Sequence, residues 1–210
     1  MDANNYVMLN PNDIERRSFE IITDELGHLQ LPMGYDAIIK RIVHTTADFD
    51  YARITDIHHN AIAAALHALQ SGCRIYTDTR MIIAGVSKPS LRDKHCEAYT
   101  YVDDEEVIAQ SKAKGITRSI LGIEKAIADP ATQIFVIGNA PTALVRLGEL
   151  ILENKVNPAL VIGVPVGFVG AAESKAFIKT THVPYIVTDG RKGGSTVAVA
   201  ILNALLYLER

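Results

Sequence analysis

Arg41, His44 and Asp48 recur at spacings of three and four along the segment from Tyr35 to Asp48. Ile38, Ile39 and Ile42 form an apolar stripe on another side of the same helical wheel. An imidazole titrates near neutrality, so His44 can both give and take a proton. Arg41 one turn before it disfavours the imidazolium and Asp48 one turn after favours it, so the two act in opposite senses. A second group of residues could bind rather than react. Arg191 and Lys192 stand beside Gly193-Gly194-Ser195, which joins two cations to a helix start suited to a carboxylate or phosphate. Three further loops, 78–80, 138–142 and 163–170, also lead toward helix starts, and together the four loops point to an anionic ligand. Each of these features also has a plain reading, as a tight turn, a solvated basic loop or a surface histidine.

Other chemistries lack their signatures. There is no Walker A sequence and no GxGxxG with a following acid, so ATP and NAD are not indicated. GxSxG and HExxH are absent, and Cys73 and Cys96 have no visible base and no CxxC spacing. His58 and His59 are adjacent and are expected to diverge around a helix, with His67 too far along to join them, so no protein-bound metal is expected. A net charge of −3, from 21 basic and 24 acidic residues, gives no basic field for nucleic acid.

The elements that must carry these residues fall into two textures. Positions 11–71 read as helical, with helices over 14–26, 35–46 and 57–70, the last opened by Asp56. From residue 73 to 210 the pattern is strand, loop, helix, with five strand-like runs at 74–77, 98–102, 134–137, 160–164 and 185–188. Continuously apolar runs followed by glycine loops are how strands buried on both faces of a parallel sheet read. The expected fold is therefore α/β, a three-layer α/β/α arrangement with a mostly parallel sheet of about five strands and a helical N-terminal region. Ligands of such sheets bind beyond the carboxyl ends of the strands.

At 210 residues with 48% hydrophobic and 21% charged side chains, the chain is expected to form one domain over 1–210 with a core that needs no staple. The longest apolar stretch, 197–208, is broken by Asn203 and reads as a buried helix, so no membrane span is expected. Two unpaired cysteines fit a reducing compartment, which makes the cytoplasm the expected location.

Several unusual segments together resemble the precorrin-8X methylmutase family of corrin-ring biosynthesis, over nearly the whole chain. They are Ile14 to Phe19, Arg41 to Asp50, Tyr76 to Thr79, Gly115 to Ser119, Gly138 to Leu144, Gly163 to Lys175 and Gly190 to Ser195. The resemblance implies an isomerase that moves a methyl group from C11 to C12 of the macrocycle without an external donor. It implies that His44 is the proton donor and acceptor and that Ser18 and Arg41 contact the substrate. The second and third segments look more like the branch acting on cobalt-precorrin-8, in which cobalt belongs to the substrate and the protein needs no cofactor. For a flat, carboxylate-fringed tetrapyrrole, Arg41, Arg118, Arg191 and Lys192 are the expected rim cations, with Ser195 at the helix start beside them. A homodimer with its site near the interface is implied. The competing readings are a non-catalytic tetrapyrrole carrier and a phosphate- or nucleotide-binding α/β enzyme.

Overall fold

A computed structural model describes residues 10–27 and 34–208. In chain order its elements are α1 (Pro11–Leu26), α2 (Tyr35–Thr46), α3 (Tyr51–Ile54), β1 (Thr55–Ile57), α4 (Ala61–Gln70), β2 (Arg74–Thr77), α5 (Arg80–Gly85), α6 (Lys88–Asp93), β3 (Glu97–Tyr99), α7 (Glu105–Lys114), α8 (Arg118–Ala126), β4 (Thr132–Ile137), α9 (Pro141–Leu152), β5 (Leu160–Gly163), α10 (Ala171–Ile178), β6 (Tyr185–Thr188) and α11 (Ser195–Tyr207).

The six strands form one sheet in the order β1-β6-β5-β4-β2-β3, parallel throughout except for β1, which runs antiparallel to β6. Five of the strands were expected; β1 is a correction. It lies where the sequence reads as the start of a helix over 57–70, and that helix begins only at Ala61. Three residues are too few to show a period, and β1 owes its pairing to β6, with Thr55 opposite Thr188 and Ile57 opposite Ile186.

The central strands are apolar on both sides because both sides are covered. In β4, Ile134 and Val136 point into a core shared with α4 and α11, while Phe135 and Ile137 point into one shared with α8, α9 and α10. All four side chains have no exposed surface. Each contributes about 1.5–3 kcal/mol by leaving water. The result is the expected three-layer sandwich. One face also receives α2 through Ile38 and Ile42. The opposite side of α2, Ile39 and Val43, packs on Ile22 of α1, so α1 rests on α2 and not on the sheet.

The chain passes from β2 outward to β3, then back across β2 to β4, β5 and β6. The winding therefore reverses between β2 and β4, which opens a crevice at their carboxyl ends. Among the described residues, no helix is long and apolar enough to cross a membrane.

Candidate active site

The packing of α1 on α2 determines where the histidine lies. Ser18 sits one turn before the buried Ile22, so it faces α2, and its Oγ lies 2.8 Å from Nδ1 of His44. A hydroxyl can accept from Nδ1–H or donate to bare Nδ1, so this contact holds the ring in either tautomer and leaves Nε2 for other work. Phe19 stacks on the imidazole, with centroids 5.1 Å apart and planes 9° from parallel. The Arg41 guanidinium carbon lies 5.2 Å from the Phe19 centroid and 4.9 Å from that of Tyr207, and one of its nitrogens is 3.4 Å from Glu15. Ser18, Arg41 and His44 are thus brought together, joined through Phe19, which sequence spacing alone did not single out. Beside them opens a cleft of about 350 Å³ lined by Ile14, Ser18, Ile21, Val43, His44 and Phe49. His44 is exposed at its mouth, and Ile14 and Ile21 remain 48% and 43% exposed on its wall.

Asp48 does not share the helix face of His44. The helix α2 ends at Thr46 because Ala47 turns left-handed (φ 52°) and returns its N–H to the Val43 carbonyl. Asp48 therefore lies past the end, where it meets Lys192: the ammonium is 2.5 Å from Asp48 and 2.9 Å from Asp50. This bond holds the Asp48 carboxyl below the usual carboxylate range and the Lys192 ammonium above the usual lysine value. Lys192 consequently fastens the corner after α2 to the loop after β6, where the sequence reading had placed a rim cation. Arg191 points elsewhere, its guanidinium carbon 5.4 Å from the ring of Phe168. Phe168 and Val169, at the tip of the glycine loop after β5, are 85% and 88% exposed.

Ser195 opens α11 and its hydroxyl is 3.0 Å from that of Thr79. This contact joins the start of α11 to the loop after β2, at the edge of the β2/β4 crevice. There a depression of about 540 Å³ is lined by Thr79, Arg80, Asp103, Thr117, Arg118 and Asn139. Arg118 is anchored through one N–H to the Val102 carbonyl at 3.0 Å. The glycine loop after β4 has a different role from the anion cradle its composition implies. The buried Asp78 carboxylate already accepts the N–H groups of Gly138, Asn139 and Ala140 at 2.9, 2.8 and 2.8 Å. Glycine is needed at 138 for close approach, since a Cβ there would lie 2.9 Å from the Cα of Ser195.

Two histidine expectations also change. His58 and His59 precede α4, and their rings touch, with centroids 4.2 Å apart. Burial and the neighbouring His59 lower the His58 pKa. Among the described residues, no group of three or more His, Cys, Asp or Glu is placed to hold a metal ion.

With this geometry, comparison with known proteins is decisive. The family model described as precorrin-8X methylmutase matches residues 13–208. The chain belongs to this family. The cobalt-precorrin-8 methylmutase of Leptospira interrogans serogroup Icterohaemorrhagiae serovar Lai is 47% identical over 204 residues, covering 93% of each chain. That of Salmonella typhimurium (strain LT2) is 45% identical over 203 residues, covering 94% of this chain and 95% of its own. A solved structure of a precorrin-8X methyl mutase from Thermus thermophilus superposes with a TM-score of 0.88 at 39% identity, covering 94% of this chain and 95% of that one. Family, enzyme class and fold therefore stand as the resemblance implied.

Within the methylmutase, the Ser18 contact has a measurable consequence. Ser18→Ala leaves His44 stacked on Phe19 but frees Nδ1, and one orienting hydrogen bond is worth about 1 kcal/mol. Turnover is expected to fall about three- to tenfold, read as kcat with folding followed by circular dichroism.

Proposed function

We propose that this methylmutase moves a methyl group from C11 to C12 of cobalt-precorrin-8 within one molecule, giving cobyrinic acid, with His44 as the proton donor and acceptor. The observation that carries the reading is the Ser18–His44 hydrogen bond at the mouth of an apolar cleft. A flat ring requires apolar walls, which Ile14, Ile21 and Phe49 offer, and its conjugated system requires an acid at the edge. Protonation by His44 makes the ring more electron-deficient, so the methyl migrates with its bonding pair to the adjacent carbon. The proton then returns to His44, and the balance closes without a co-reactant. Cobalt enters and leaves as part of the substrate, and the protein needs no cofactor of its own.

Carboxylates on the ring edge call for cations. Arg41, Arg191 and Arg118 are the side chains we assign to them, with Ser195 and Thr79 between the last two. Cations spread from α2, at Arg41, to the loops beyond the carboxyl ends of the strands, at Arg191 and Arg118, suit a wide ligand better than a compact phosphate. The cleft at His44 is open, and Phe168 and Val169 expose apolar surface next to Arg191. This favours a homodimer whose second copy helps enclose the ring.

Anaerobic ultraviolet–visible spectroscopy of the protein with cobalt-precorrin-8 tests the reading. Conversion to the spectrum of cobyrinic acid is the expected result. Ring binding without conversion would replace the enzyme by a carrier, and absence of binding would remove the corrinoid altogether. A parallel reaction with metal-free precorrin-8X reads how far turnover depends on cobalt.

A further inference from the structure

Lys175, on α10, has no exposed surface, yet forms no ion pair among the described residues. Its ammonium donates to the Lys192 carbonyl at 2.7 Å and lies 3.4 Å from the hydroxyl of Thr188, which donates to the same carbonyl at 2.8 Å. Burying an amine without a counter-charge carries a desolvation cost that hydrogen bonds to neutral oxygens offset only in part. What the ammonium holds is the loop after β6. Gly193 follows the clamped carbonyl with its backbone beside the Tyr51 hydroxyl, and Gly194 gives its N–H to the Val164 carbonyl at 2.8 Å. Gly167 donates in return to the Arg191 carbonyl at 3.1 Å. The fit is tight: a Cβ on Gly193 would lie 2.3 Å from the Val164 carbonyl oxygen. Through Lys192 the same loop reaches Asp48 and Asp50, immediately after the helix of His44.

We propose that Lys175 is a positioning residue of the methylmutase reaction: from inside the fold its ammonium fixes the Lys192 carbonyl, and with it the direction in which Arg191 is presented to a carboxylate of the macrocycle. The inference rests on the proposed reaction for its substrate, and on the loop geometry alone for its mechanism. Two properties separate it from a role in stability. Replacing this ammonium by an apolar side chain of similar length removes its desolvation cost, and the Lys192 carbonyl keeps the Thr188 hydroxyl as a donor. The ammonium is also titratable, because burial lowers its pKa to about 8. The charged group that acts on it is Asp189; Lys179, one turn on, pairs with Asp189 and Asp56, Lys192 lends its carbonyl, and Tyr51 of α3 borders the next residue, Gly193. Lys179, Lys192 and Tyr51 are all shifted upward, away from that range.

The test uses the full chain and its Lys175→Met variant, with three readouts: the melting temperature, amide exchange at Gly193 and Gly194, and anaerobic steady-state kinetics with cobalt-precorrin-8. Expected are an unchanged or higher melting temperature, exchange at the two glycines faster by about tenfold, KM raised by about tenfold and kcat within about threefold. In the wild type KM should rise as pH increases through about 8, where Lys175 loses its proton, and in the variant that inflection should vanish. Unchanged exchange and KM would overturn the proposal. So would a large fall in melting temperature with exchange increased along the whole chain, or a wild-type KM that is flat across this range. If the wild type does not convert the ring, the reaction assignment fails, and exchange at Gly193 and Gly194 still decides whether Lys175 holds the loop.

Discussion

Replacing His44 with Ala should lower kcat by about 10²–10⁴, the range a positioned acid or base supplies, while leaving the affinity for the ring nearly intact. The separation follows from where His44 sits. It is exposed at the mouth of the cleft and contributes an edge, whereas the walls come from Ile14, Ile21, Val43 and Phe49. The fold should survive, because the core face of α2 is Ile38 and Ile42 and its α1 face is Ile39 and Val43, with His44 in neither core. The measurement is single-turnover absorbance under anaerobic conditions, with an equilibrium titration of the product in parallel. A variant that turns over at the wild-type rate would remove His44 from the mechanism. A variant that loses binding and turnover together would make His44 a wall residue and leave the acid unidentified.

The same comparison separates an enzyme from a carrier. A carrier has no need of a proton donor, so its measurable function would not change on losing the imidazole. Ser18→Ala supplies the intermediate point on this scale, because it keeps the acid and loosens only its orientation.

How far the sequence disclosed this arrangement depended on the range of the interactions. The periodicity of α2 is local, so its bounds, Tyr35 to Thr46, agree with the reading residue for residue. The strand-like runs of β2, β4, β5 and β6 were legible for the same reason. The partnership of Lys192 with Asp48 spans 144 positions and that of Ser195 with Thr79 spans 116, and no spacing rule reaches so far. Asp48 itself misled, because a left-handed Ala47 carries no compositional warning of the kind that glycine gives. Lys175 was visible as part of a recognisable segment, but its burial depends on packing of α10 against β6, which only the assembled sheet defines. Strand β1 was missed because its identity lies in its partner.

The loop after β4 shows most clearly how a glycine loop can be read for the wrong purpose, since the anion it cradles is the protein's own Asp78, and Asp78→Ala should lower stability by about 3–5 kcal/mol. The variant would leave three N–H groups without their acceptor, two of them, on Gly138 and Ala140, away from water. Each buried donor left unpaired costs about 1–3 kcal/mol, and water can relieve only the exposed Asn139. Against a typical total of about 5–15 kcal/mol this is a large share. Denaturant unfolding reads it directly; a loss below about 1 kcal/mol would mean that the loop relaxes to other acceptors. The charge state supplies an independent check. Burial raises the Asp78 pKa, and the three N–H groups only partly offset it. A carboxyl whose folded pKa exceeds its unfolded value contributes stability that is full below the unfolded value and is lost as pH rises through the folded one. Wild-type stability should therefore show a downward step beginning near the ordinary aspartate range, about pH 4. Asp78→Asn, which keeps one acceptor and cannot ionise, should lack that step and lie between the wild type and Asp78→Ala. The same carboxylate decides what the β2/β4 crevice can offer a ligand. With the N–H groups of residues 138–140 already committed to Asp78, an anion entering there must be met by side chains, and Arg118 beside Thr79 is placed to do so.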